Sequence, residues 1–184
     1  VINVEIRRPG EDDRNSLNHF FRMVVTDTFN KEGIADMVDD MESEIKAKNT
    51  YLATDLESNG DKRFFLLALD GEKIVGTIEY GAASELICTC TNNAYKNLQE
   101  VGTVFVHPDY QRKGIGNLLL NRLMLAMQNK GIAEFCLDSG YGNAQKIWTK
   151  KFGDPAYLLE NFWGEGYHHM IWRVDMSVEI APIN

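Results

Sequence analysis

The run from Val101 to Gly116, VGTVFVHPDYQRKGIG, continuing into Asn117 and three leucines, constrains the fold more than any other part of the chain. An apolar, β-branched stretch ends at His107-Pro108. A loop carrying Gln111, Arg112 and Lys113 follows, and Gly114 to Gly116 lead into an apolar helical segment. A strand–loop–helix unit of this kind turns unsatisfied backbone N–H groups, and the positive end of a helix dipole, toward one point. Such a point is an anion site, and pyrophosphate suits it. Gly114 and Gly116 let the backbone approach a ligand with no Cβ in the way. Gln111, Arg112 and Lys113 add donors and charge at the rim, and Ile115 and Asn117 belong to the first helical turn.

Spacing excludes two other phosphate loops. A Walker loop needs a Gly-Lys-Ser/Thr ending, whereas Lys113 precedes Gly114 and neither Ser nor Thr follows. A dinucleotide fingerprint needs a third glycine where Leu119 stands. The pattern resembles the acyl-CoA loop of the GNAT superfamily of N-acetyltransferases, Gln/Arg-x-x-Gly-x-Gly/Ala, filled here by Gln111, Gly114 and Gly116. Val106 and Pro108 at the strand end, Glu100 before it and the long helix after it strengthen the resemblance. It implies an α/β fold with a mixed, mostly antiparallel central sheet flanked by helices. It also implies acetyl-CoA as co-substrate, an amine as acceptor, direct transfer in a ternary complex, and no metal.

The rest of the chain reads in the same order. Val4 to Arg7 is a short strand stopped by Pro9-Gly10. Asp12 or Asp13 caps a helix in which Leu17, Phe20, Phe21, Val24, Val25, Thr28 and Phe29 recur with helical spacing, ending near Gly33. A second helix uses Ile34, Met37, Val38, Met41, Ile45 and Leu52, exposes Asp36, Asp39, Asp40, Glu42 and Glu44, and stops at Asn59-Gly60. Phe64–Leu69 and Lys73–Tyr80 form a hairpin around Asp70-Gly71. Residues 82–97 read as a loop, and Gln99–Val106 as the strand described above. A helix over Ile115–Lys130 stops at Gly131 and is apolar round most of its circumference, so it should be covered by its neighbours. A strand over Ala133–Leu137, a helix over Asn143–Lys151, and strands over Ala156–Asn161 and Tyr167–Asp175 complete the order β-α-α-β-β-β-α-β-α-β-β.

At 184 residues, with no repeat and no composition break, the chain reads as one domain spanning 1–184. No apolar run reaches the roughly 20 residues that span a bilayer, so no membrane partner is expected. Three cysteines, Cys88, Cys90 and Cys136, fit a reducing compartment better than a disulfide framework, which favours the cytoplasm. The net charge of −8 lies entirely in residues 1–100, where 11 basic residues face 19 acidic ones; residues 101–184 carry 8 of each. A front half this acidic is a poor nucleic-acid surface and a better one for a cationic amine. The oligomeric state stays open, a homodimer included.

The resemblance assigns roles residue by residue. It places the backbone of Val104, Phe105 and Val106 against the pantetheine arm and the thioester carbonyl. It puts Glu100 in the slot of a general base acting through water, with Glu79 the runner-up and an acceptor-facing group. The family pattern after the fifth strand, Asn-x-x-Ala-x-x-x-Tyr, is altered. Aligned on Ala144, Tyr141 stands in the asparagine slot and Trp148 in the tyrosine slot. Indole has no proton to give at neutral pH. That leaves Tyr141 as a substitute acid, or a thiolate that departs unaided. Lys146 and Lys150 are candidates for phosphate contact. A second reading keeps the fold but not the turnover: an acyl-CoA-binding regulatory or structural module. Zinc is disfavoured because Cys88 and Cys90 lack a second pair, and adjacent His168 and His169 point to opposite faces of a strand.

Overall fold

The computed structural model describes residues 3–177. In chain order the elements are β1 (Glu5–Arg7), α1 (Arg14–Lys31), α2 (Val38–Ser58), β2 (Arg63–Asp70), β3 (Lys73–Ala82), α3 (Glu85–Cys90), β4 (Gln99–Val106), α4 (Ile115–Asn129), β5 (Glu134–Ser139), α5 (Gly142–Phe152), β6 (Tyr157–Leu159) and β7 (His169–Asp175). Single 3-10 turns sit at Glu11–Asp13 and Pro108–Tyr110. The sheet order is β1-β2-β3-β4-β5-β7-β6. β1–β2, β5–β7 and β6–β7 pair antiparallel, while β4 and β5 pair in parallel through Gln99↔Phe135 and Glu100↔Cys136. The mixed, mostly antiparallel α/β architecture is the one the resemblance implies.

The chain forms two compact units. Among the described residues the first holds 3–80 and 103–123. Its core joins Leu17, Phe20, Phe21 and Val24 of α1 to Leu52 of α2, to Phe65, Leu67 and Leu69 of β2, and to Ile74 of β3. The helical spacing of the α1 residues puts them on one face, and each buried side chain contributes about 1.5–3 kcal/mol. Arg8 ties α2 to β2. Its guanidinium bonds both oxygens of the buried Asp55 (2.5 and 2.9 Å), and Asp55 Oδ2 also accepts the Phe65 N–H at 2.6 Å. The β2–β3 turn uses the left-handed freedom of Gly71 (φ 62°).

Among the described residues the second unit holds 81–102 and 124–177. Ile87, Tyr95, Cys136 and Ile171 form its core cluster, with Tyr95 edge-on to Tyr157 at 5.3 Å. Burial beside the Glu100 and Asp138 carboxylates pushes the Cys136 thiol up to about 12, with desolvation the largest cause.

Four details differ from the sequence reading. Residues 82–97 are not all loop: α3 forms because Ser84 caps it, its Oγ accepting the Ile87 N–H at 3.3 Å, and because Ile87 is buried. Helix α2 begins at Val38, so Ile34 and Met37 belong to the turn before it. Asp13 does not cap α1 with its side chain. Its carboxylate instead takes the Gly10 N–H at 2.8 Å and pairs with Arg7, whose hydrogen bond holds the Asp13 carboxyl below its usual range. Helix α4 is not covered all round, since Leu118 (39% exposed) and Leu125 (54%) share a solvent stripe with Asn121 and Arg122.

Candidate active site

In the first unit β4 leads into a loop whose shape is set by backbone and by a few anchors. His107 donates its N–H to Val75 O at 2.9 Å, and its Nδ1 accepts the Asp109 N–H at 3.1 Å. Tyr110 pins the turn: its hydroxyl donates to Asp70 at 2.7 Å, which raises its pKa, and the Lys73 and Lys113 ammonium groups lie 5.1 and 5.4 Å from its ring centre. Gln111 reaches back to Val106 O (3.3 Å) and accepts from Lys31 (3.2 Å). Arg112 (φ 62°) and Gly114 (φ 84°) both take the left-handed conformation. Arg112, Lys113 and Gly114 are exposed, and nothing lies within 4 Å of the point where a Gly114 Cβ would stand.

The first intrahelical bond of α4 runs from Leu118 N to Gly114 O at 3.0 Å. The N–H groups of Ile115 and Gly116 therefore lie in the turn before that bond, at the positive end of the helix. Ile115 is buried and anchors the helix start, while Gly116 and Asn117 are half-buried. Gly76 of β3, which the sequence reading passed over, makes this seating possible. A Cβ there would stand 2.9 Å from Leu119, 3.0 Å from Ile115 and 3.3 Å from Phe105 O. The arrangement is a backbone-lined cradle with a basic rim, a geometry that suits an anion.

Upstream in β4, Thr103 is buried and has φ 48°. A left-handed conformation costs a β-branched residue about 1–2 kcal/mol and re-aims the strand beyond it. The hydroxyl of Thr103 donates to Glu79 Oε1 at 3.2 Å, and its carbonyl accepts from the Thr77 hydroxyl at 2.8 Å. Glu79 is 1% exposed; its second oxygen pairs with Arg63 at 2.6 Å, and Arg63 lies 3.9 Å above the Tyr51 ring. Beyond the kink Val104, Phe105 and Val106 are half-buried, with Phe105 edge-on to Phe21 at 6.1 Å.

The second unit holds the other assigned residues. Glu100 is half-buried; its Oε1 accepts the Ser84 N–H at 2.7 Å, at the start of α3. Tyr141 is half-buried at the head of α5, where its N–H donates to Ser139 Oγ at 3.0 Å. Gln145 fastens that turn by donating to Ser139 O and His168 O, both at 2.9 Å. Trp148 stacks on Phe152 at 5.8 Å, and Phe152 meets Phe135 edge-on, so Trp148 is a packing residue. Lys146 and Lys150 are exposed. His169 is buried, with Nε2 2.8 Å from Asp138 and Nδ1 accepting from Trp163 at 3.1 Å. Among the described residues no group of three or more His, Cys, Asp or Glu is placed to hold a metal ion, and no helix is long and apolar enough to cross a membrane.

The acetyltransferase (GNAT) family model matches residues 26–154, which includes β4, the turn after it and α5. The chain belongs to the GNAT acetyltransferase family. GNAT structures resemble it over nearly its full length. A GNAT-family protein from Desulfovibrio desulfuricans superposes with TM-score 0.71 at 15% identity, covering 95% of this chain and 99% of its own. The PaiA N-acetyltransferase of Thermoplasma acidophilum, solved with coenzyme A, gives 0.66 at 22% identity over 94% and 99%. YncA of Salmonella typhimurium, solved with acetyl-CoA, gives 0.67 at 17% identity over 98% of each chain. At these identities the likeness is one of fold. A search of curated protein sequences returns no match.

Proposed function

We propose that this GNAT protein transfers the acetyl group of acetyl-CoA to a primary amine by direct transfer in a ternary complex. The observation that carries the reading is the cradle itself: left-handed Arg112 and Gly114, open space at Gly114, and the Ile115 and Gly116 N–H groups ahead of the first helical bond. In this reading residues 111–117 hold the phosphates, with Gln111, Arg112 and Lys113 at the rim and Lys146 as a further cation. The backbone of Val104, Phe105 and Val106 holds the pantetheine arm and the thioester carbonyl, and donors preset toward a developing oxyanion are worth several kcal/mol. Acetyl-CoA supplies an activated acyl group whose leaving thiolate has a pKa of about 8.5.

The acceptor must lose a proton before attack. From a pKa near 10.4 that costs about 4–5 kcal/mol at pH 7. Glu100 receives that proton through water. Tyr141 returns one to the departing sulfur. Asp36, Asp39 and Asp40 are exposed and in no ion pair among the described residues, whereas Glu42 pairs with Arg22 at 2.7 Å; the first three draw a cationic acceptor. A reducing, cytoplasmic setting and a single functional domain go with this reading.

One observation favours the alternative of an acyl-CoA-binding module without turnover: Trp148 fills the tyrosine slot and is stacked on Phe152. A CoA-release assay with acetyl-CoA over a panel of amines decides between them. Amine-dependent release establishes transfer; tight CoA binding with no release for any amine establishes the module.

A further inference from the structure

We propose that Glu79 is a positioning residue of the acyl site, acting through Thr103 to hold the kink that aims the β4 backbone. The inference rests on the acyl-CoA reading above and assigns Glu79 a task other than facing the acceptor. Its carboxylate is 1% exposed and spans two partners inside the first unit, Thr103 Oγ1 at 3.2 Å and Arg63 at 2.6 Å. Arg63 is in turn confined against the Tyr51 ring, so the orientation of the carboxylate is fixed from the far side.

Thr103 is thereby gripped twice. Glu79 takes its hydroxyl hydrogen, and the Thr77 hydroxyl donates to its carbonyl at 2.8 Å. A threonine at φ 48° in a strand relaxes toward extended geometry unless such contacts over-determine it. Relaxation would rotate the peptides that follow, those of Val104, Phe105 and Val106, which carry the N–H groups assigned to the pantetheine arm and the thioester. The anion cradle would be spared. It is built from residues 111–116, with its own anchors at Tyr110, Ile115 and Gly76. Glu79 and Thr103 therefore govern one half of the ligand and not the other.

Calorimetric titration with two probes separates the halves. One is acetyl-CoA; the other is adenosine 3′-phosphate 5′-diphosphate, which has the phosphates but neither pantetheine nor acetyl group. Thr103→Val, which keeps the branch and loses the hydroxyl, and Glu79→Met, which keeps the length and loses the acceptor, should each weaken acetyl-CoA by about tenfold, the loss of one buried hydrogen bond. Affinity for the nucleotide should stay within about twofold of wild type, since its contacts are those of the helix terminus. Thr103→Ser, which restores the hydroxyl, should bind both probes as wild type does. Unchanged acetyl-CoA affinity in Thr103→Val and Glu79→Met overturns the inference, as does an equal loss for both probes. A wild type that binds neither probe instead overturns the acyl-CoA reading, and the inference with it.

Discussion

The turn after β4 and the turn after β5 both carry the chain from a strand into a helix, yet they are finished in opposite ways. The first is long, basic and open. Its glycine meets nothing within 4 Å, and its shape comes from left-handed backbone at Arg112 and Gly114. The second, Ser139-Gly140-Tyr141, is short and closed by side chains. Ser139 Oγ takes the Tyr141 N–H, Gln145 bridges two carbonyls, and Trp163 packs so tightly that a Cβ on Gly140 would stand 2.8 Å from its indole nitrogen. A helix start left open can receive an anion; one whose polar groups are met by its own chain orients a side chain instead. The first turn suits ligand binding and the second suits holding Tyr141.

Breaking either turn should give different phenotypes. The largest effect is expected from Glu100→Gln at the base assigned in the second unit: kcat should fall by about 10²–10⁴-fold with CoA affinity kept, and the acidic limb of the pH–rate profile should vanish. Near-normal kcat with the same limb would remove Glu100 from the role. Gly114→Val in the first turn should weaken CoA by about a hundredfold in a calorimetric titration, because valine resists positive φ and narrows the cradle, while circular dichroism stays native. Gly140→Val in the second should spare CoA affinity and lower the melting temperature, because backbone and Trp163 must shift; the clash is worth about 1–3 kcal/mol.

Cys136 gives the second unit a pH signature on the alkaline side. Its folded pKa, about 12, lies above the roughly 8.5 of an unfolded thiol. Its contribution is therefore complete below about pH 8.5 and is lost as pH rises toward 12. Cys136→Ala should flatten the alkaline fall of stability measured by denaturant titration between pH 8.5 and 10.5. The smallest effect belongs to the acceptor side. Neutralising Asp36, Asp39 and Asp40 together should raise acceptor KM a few-fold at saturating acetyl-CoA and flatten its dependence on ionic strength, since exposed charges act over about 10 Å at 0.1 M salt. An unaltered salt dependence would make that surface merely solubilising.

What was legible in the sequence was what is local. The α1 face from Leu17 to Phe29, the hairpin around Gly71, the strand Gln99–Val106 and the cradle from Gln111 to Gly116 each declare themselves within a few residues of spacing. The α3 helix was obscured by Thr- and Asn-rich neighbours, although Ser84 three residues before Ile87 is a cap signal. The determinants of the kink and of the α4 seating were not legible, because they join residues far apart: Arg63 to Glu79 and Glu79 to Thr103 for the kink, Gly76 to Leu119 for the helix. No periodicity announces a buried carboxylate that must meet a hydroxyl 24 positions away. Tyr141 could be named from its slot in the family pattern, but the Ser139, Gln145 and Trp163 contacts around it belong to packing.

The central claim is that backbone N–H groups of the first turn grip the phosphates of CoA. Amide chemical shifts during titration of ¹⁵N-labelled protein with CoA test it most directly. The account predicts the largest downfield shifts at Gly114, Ile115 and Gly116, with those of Tyr141 and Gly142 smaller, and their disappearance in Gly114→Val. Saturable CoA binding that leaves the amides of residues 111–117 unmoved would contradict it.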